Sequence, residues 1–253
     1  MKLSIMSKKK TGRVSSRRTR RRKNKKNDGD SSVLWMKHPD KNPQILEIFR
    51  SFANKIVLFN DNQNLKVFLL TGVDNKVGTS TITFNLGLIL GRGMPDRQIL
   101  IIDTNLESPS LHVAFNRSPP SNGLMEYLLD QAGLVDIVQS TFLSNLDLIT
   151  VRQLNDKILS PFSLPSFKRL LDEVREYYDI ILLDSSPALK SSHTKMISAK
   201  VDGVILVAEA NKSRFEVLEE LVLQLHTQGA NILGSFLNKR KYFIPQWIYR
   251  YIF

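Results

Sequence analysis

The stretch KVFLLTGVDNKVGTSTITFNLGLIL, Lys66 to Leu90, decides the fold of this 253-residue chain. It opens as a buried strand, passes through a polar loop and closes as a helix. A phosphate-binding loop is built this way, because backbone N–H groups at the helix start cradle an anion. The sequence pattern of such a loop is GxxxxGK[ST]. Gly78 is in place, followed by Thr79, Ser80 and Thr81, so Thr79 stands where the lysine belongs. The position of the first glycine holds Val73, and Gly72 lies one residue out of register.

Outward from this stretch, strand-like and helix-like runs alternate. KVFLLT, QILIID, LDLIT, DIILLD, GVILVAE and NILGSFLN read as strands. Helical spacing predicts helices over 43–59, 80–91, 123–131, 164–177 and 213–227. In the first of these, Ile45, Ile48, Phe49, Phe52 and Ile56 form the apolar face. Several strands are continuous apolar runs, as expected where helices cover both sides of a parallel sheet. The predicted fold class is α/β, a doubly wound, mostly parallel sheet with helices on both faces.

Ligands of such sheets sit at the carboxyl ends of the strands. Three loops meet that condition: TGVDNKVGTST, DTNLESPSLH, and the SSPAL that follows Asp184. They place Asp103 and Asp184 at strand ends beside a hydroxyl-rich helix start. A Mg²⁺–nucleotide site needs such a set. Backbone N–H groups from Gly78 onward would hold phosphate, a hydroxyl of Ser80 or Thr81 would meet the metal, and Asp103 and Asp184 would hold it or its waters. An Asp that ends a strand is also a common helix N-cap, which is the alternative for each of them.

Charge is distributed unevenly. Residues 1–27 hold 13 of the 36 Lys and Arg and no acid, which leaves 23 basic against 24 acidic residues for the rest. The net charge of +12 therefore belongs to a tail. Residues 1–30 read as a disordered polybasic tail, 31–42 as a polar linker and 43–253 as the folded domain. No apolar run is long enough to span a bilayer. MKLSIM is too short for a signal-peptide core. The chain has no cysteine, which excludes disulfides, thiolate metal sites and a Cys nucleophile.

These loops, with their flanking segments, resemble the cytoplasmic domain of bacterial tyrosine autokinases (BY-kinases) of capsule and exopolysaccharide synthesis. The resemblance runs from about Pro43 to the C-terminus. EIFR, Glu47 to Arg50, is similar to the opening of the family's E-x-x-R-x-x-R oligomer helix. ILIIDTNLESPSLHVAF resembles its D-x-D-x-R-x-P-x-L-H segment. YYDIILL, with Asp184 and SSPAL directly after it, resembles its YD–apolar run–DTPP segment. NGLMEYL, VDGVILVAEANKSR and ILGSFLNK match later parts. The resemblance implies ATP or ADP with Mg²⁺ as cofactor and Asn238 near the adenine. It implies a membrane polysaccharide co-polymerase or activator as partner, and a homo-oligomer through the Glu47–Arg50 helix. The implied location is cytoplasmic, at the inner face of the membrane.

The departures bear on mechanism. Thr79 replaces the lysine, Asn105 the second Asp, Glu107 the following Arg and Ala53 the last Arg of the oligomer motif. The family's tyrosine-rich tail is missing; Tyr242, Tyr249 and Tyr251 lie near the end. Lys76, within the loop, reads as a solvated lysine more than as a replacement. The leading expectation is a regulator of polysaccharide polymerisation or export whose catalysis is weakened or lost. An active tyrosine autokinase is the first alternative. The second is a partitioning-type ATPase whose residues 1–27 bind nucleic acid or an anionic membrane surface. Trp247 and Tyr249, in the aromatic–basic C-terminal stretch, read as a packing or interface element, with a membrane interface as the alternative.

Overall fold

A computed structural model describes residues 43–117, 121–151 and 161–240. The expected tail, linker and C-terminal aromatic stretch lie outside the described residues. Among the described residues, seven strands form one sheet: β1 (Val67–Gly72), β2 (Ile99–Asp103), β3 (Val138–Ser140), β4 (Leu146–Ile149), β5 (Ile180–Ser185), β6 (Gly203–Glu209) and β7 (Ile232–Asn238). Their order is β3-β4-β2-β5-β1-β6-β7, and every pair is parallel except β3–β4.

The helices between them are α1 (Pro43–Gln63), α2 (Thr79–Gly93), α3 (Leu111–Ala114), α4 (Leu124–Leu128), α5 (Leu134–Ile137), α6 (Pro165–Tyr177), α7 (Ser192–Ser198) and α8 (Phe215–Thr227). Strands β1, β2 and β5 are buried at every position. Alternate residues of each feed two separate cores. Val67 and Leu69 join Phe167, Leu170 and Leu225 on one side; Phe68 and Leu70 join Ile56, Ile82 and Leu86 on the other. That is why these strands read as unbroken apolar runs. At about 25 cal/mol per Å² of apolar surface removed from water, these two cores supply most of the drive to fold.

The six long strands fall within a residue or two of the expected runs, as do α2, α6 and α8. Three differences stand out. The strand β3 has only three residues, too short for a period-two signal. The segment expected to be helical over 123–131 is helical only over Leu124–Leu128. Ile48 is half exposed, whereas Phe49, Ala53 and Ile56 make the buried face of α1. Apolar character alone could not tell Ile48 from its neighbours; only the sheet behind the helix selects the face.

The topology positions the candidate site. Crossovers carry the chain from β1 past the slot that β5 later fills and on to β2, so β2, β5 and β1 end as neighbours. Register then aligns Asp103 with Asp184, and Thr71 with Ser185. The three loops anticipated on one rim therefore share one carboxyl edge.

Candidate phosphate-binding loop and paired carboxylates

The loop from Gly72 to Gly78 turns sharply enough to need left-handed backbone. Lys76 has φ 60° and Gly78 φ 96°. A Cβ on Gly78 would lie 2.5 Å from Nδ2 of Asn238, so only glycine fits here. Asn238 braces the loop directly: its Nδ2 donates to the Val77 carbonyl at 2.8 Å. Val73 N–H donates to the Val207 carbonyl at 2.9 Å, tying the loop to β6.

The loop feeds α2, which begins at Thr79 with no side-chain cap. Helix geometry leaves its first N–H groups without intrahelical partners and gives that end partial positive charge. Thr79 is nearly buried, and its hydroxyl packs towards Gly72. Thr83, one turn on, donates to Asp184 Oδ1 at 3.2 Å, and the nearby Ser80 hydroxyl also favours the charged form of this carboxyl. Thr81 is half-buried, and its carbonyl accepts from Asn85 at 2.8 Å.

The two carboxylates are fully buried but differ in their bonding. Asp103 accepts backbone N–H bonds from Asn105 at 3.1 Å, Ser110 at 3.1 Å and Leu111 at 3.2 Å. Asp103 is not the N-cap of α3, which is Ser110, but it accepts from the N–H of that residue and of Leu111, the first of the helix. Asp184 does not cap a helix; its Oδ2 is buried with no hydrogen-bond partner. Burial pushes Asp103 up to about 6, although the three N–H groups pull it down. Burial also raises Asp184 well above the usual carboxylate range, and the charge of Asp103 raises it further. Two buried acids side by side favour a shared proton or a cation.

A hydroxyl belt closes the floor. Thr71 and Thr194 donate to the Ser186 carbonyl, each at 2.9 Å, and Ser186 donates to Asn105 Oδ1 at 2.7 Å. The residue that replaces an expected acid is therefore knit to the loop after β5. The rim is basic. Lys190 lies 2.7 Å from Asp74, while Lys239 and Lys212 reach Glu209 at 3.1 and 3.4 Å. Beside the loop, a cavity of about 280 Å³ is lined by Val73, Asp74, Leu189, Lys212 and Arg214, among others. A larger cavity, about 820 Å³, lies away from the acids, between α1 and β7, and Glu47 is part of its lining. Glu47 and Arg50 both lie on α1, and both are exposed.

The structure thus brings Gly78, Thr79, Ser80, Asp103, Asp184 and Asn238 to one rim. Among the described residues, Lys76 pairs with no acid, and its carbonyl accepts from Lys239. Sequence reasoning missed Thr83, Ser186 and Lys190. A hydroxyl one helical turn beyond Thr79 was the available signal for Thr83; the other two lie in a loop whose path only the fold reveals. Among the described residues, no group of three or more His, Cys, Asp or Glu could hold a metal by itself. Two carboxylates and a serine remain as the hard-oxygen set.

A mostly parallel sheet with a glycine loop before a helix and acids on the neighbouring strands is a P-loop NTPase-like fold. Residues 73–232 match the family described as "AAA domain". Tyrosine-protein kinase YwqD of Bacillus subtilis is 24% identical over 87% of this chain and 91% of its own. The crystal structure of the VpsO kinase domain superposes with a TM-score of 0.67 at 30% identity, over 78% of this chain and 98% of that one. The septum site-determining protein MinD of Pyrococcus horikoshii, solved with Mg-ADP, shares the fold at 19% identity and a TM-score of 0.60, over 74% and 76% of the two chains. The chain belongs to the AAA-domain family and, within it, to the bacterial tyrosine-kinase branch of capsule and exopolysaccharide synthesis.

Proposed function

We propose that this protein is a Mg²⁺–nucleotide-binding regulator of exopolysaccharide or capsule assembly in which phosphoryl transfer is weakened. One observation carries the reading: a phosphate-loop scaffold and its paired acids are retained around a Thr79 that has no positive charge. The roles follow from the bonding. The N–H groups from Gly78 to Thr81 would cradle phosphate, and Asn238 would hold the loop and border the base. Ser80 and Asp184 would take the metal, with Asp103 behind them. The partnerless Oδ2 of Asp184 fits a Mg²⁺ ion or its water. Bound Mg²⁺ would supply charge neutralisation of the phosphates.

The magnitudes separate binding from chemistry. A charge-assisted hydrogen bond contributes roughly 1.5–3 kcal/mol, so losing the lysine weakens binding about ten- to a hundredfold. Cationic groups that stabilise a transferring phosphoryl are worth on the order of 10³–10⁵ in rate. Binding survives the first loss; turnover suffers the second.

The Glu47–Arg50 face of α1, with Arg50 exposed, supports a homo-oligomer through that helix. Family membership supports a membrane co-polymerase as activator and a cytoplasmic position at the inner face of the membrane. Among the described residues, no helix is long and apolar enough to cross a membrane. The second reading, an active tyrosine autokinase, draws on the same Asp103 and Asp184. Mass spectrometry of the chain co-produced with its membrane partner decides between them. Phosphotyrosine at trace stoichiometry is expected, and stoichiometric modification would establish the active kinase.

A further inference from the structure

Nucleotide binding without the loop lysine leaves one question: where the missing positive charge comes from. The first turn of α2, Thr79-Ser80-Thr81-Ile82, has none. Several lysines stand on the rim, but their tethers differ. Lys212 and Lys239 are matched by Glu209, which lies on β6 outside the loop. Lys190 is held by an acid of the loop itself. Its Nζ lies 2.7 Å from Oδ1 of Asp74, and this contact is the main reason the Asp74 carboxyl sits below its ordinary range.

Backbone contacts tie the loop that carries Lys190 to Gly72, where the phosphate-binding loop begins. Ala188 N–H donates to the Gly72 carbonyl at 3.1 Å. Gly72 also approaches Thr79: a Cβ on it would lie 3.0 Å from Thr79 Oγ1 and 2.9 Å from the Asp74 carbonyl. Gly72 is thus a hub between Thr79 and the loop that runs from Asp184 to Lys190. Both members of the ion pair are about half exposed, at 53% and 47%. A wet pair of this kind is weak and easily exchanged for a stronger anion. The lysine stem is long and flexible enough to swing across the loop.

We propose that Lys190 supplies in place of Thr79 the cation that meets the nucleotide's phosphates, with Asp74 holding it until they arrive. Lys190 is then a phosphate-binding residue carried by the loop after β5, and Asp74 is a positioning residue that competes with the ligand. The inference rests on the nucleotide reading above.

Calorimetric titration of the full chain with Mg-ADP tests it. Lys190→Ala weakens binding about ten- to a hundredfold, as expected for one charge-assisted contact. Asp74→Asn tightens binding, because the competing acid is gone. Thr79→Lys supplies the charge from the usual place, so adding Lys190→Ala to it costs less than about threefold. Melting temperature follows each variant as a folding check, and none of the substitutions moves it appreciably. Unchanged affinity in Lys190→Ala, or an equal loss with and without Thr79→Lys, overturns the role of Lys190 while the nucleotide reading stands. Failure of the unaltered chain to bind at millimolar Mg-ADP overturns both.

Discussion

Replacing Asp184 with Asn removes one of two adjacent buried charges while keeping an oxygen for Thr83 to donate to. The magnitude follows from the pair. Asp103 titrates near 3.8 when unfolded and is pushed up to about 6 in the fold, chiefly by burial. A raised carboxyl binds its proton more tightly in the folded chain. Its contribution to stability is therefore full below the unfolded value and is lost as pH rises through the folded one. The rise from 3.8 to about 6 corresponds to roughly 3 kcal/mol. Asp184 is raised by burial and by the charge of Asp103, so it loses stability with rising pH in the same direction. Without nucleotide, Asp184→Asn should be more stable than the unaltered chain by about 2–4 kcal/mol at pH 8. Near pH 5, below the value of about 6 to which burial pushes Asp103, the difference should shrink. Urea unfolding at both pH values reads this. Equal stability at pH 8, or an equal difference at both, would refute the claim that the acids are held together at a cost to the fold.

Three further outcomes are expected. Gly78→Ala places a methyl against Asn238 at a left-handed φ, and should cost about 1–3 kcal/mol in urea unfolding; the added Asn238→Ala should recover part of it. Asp202 accepts from the N–H groups of Lys66 and Val67 at 2.8 Å each and pairs with Arg175. Burial pushes its carboxyl up, but Arg175 and those N–H groups bring it below the ordinary range, so its stabilisation is lost as pH falls through that lowered value. Asp202→Ala should cost about 3 kcal/mol at pH 7 and less in acid. Deleting residues 1–27 should abolish co-sedimentation with anionic liposomes at low salt; loss of DNA binding alone would favour the nucleic-acid role instead.

The sequence made the fold legible where burial is two-sided. Val67 to Leu70, Ile99 to Ile102 and Ile180 to Leu183 are apolar at every position because a core lies on each face. It also made visible the loop glycine and both acids, since strand ends announce themselves as the last residue of an apolar run. It did not reveal that Asp103 accepts three backbone N–H bonds while Asp184 keeps a bare oxygen. That difference arises from the path of residues 104–111, which local propensity does not determine. Lys190 was hidden for the same reason: Lys190 and Asp74 are brought together only because β5 inserts beside β1. Thr79 was plain from the start, but its meaning depends on neighbours distant in sequence.

The proposed nucleotide site is retained with its catalytic charge displaced. Mg-ATP binding and single-turnover hydrolysis, measured side by side on the unaltered chain, Asp184→Ala and Thr79→Lys, address it most directly. The unaltered chain should bind, Asp184→Ala should weaken that binding at least about tenfold, and Thr79→Lys should raise turnover by about a hundredfold or more. No binding at millimolar Mg-ATP, or turnover that Thr79→Lys leaves unchanged, would contradict it.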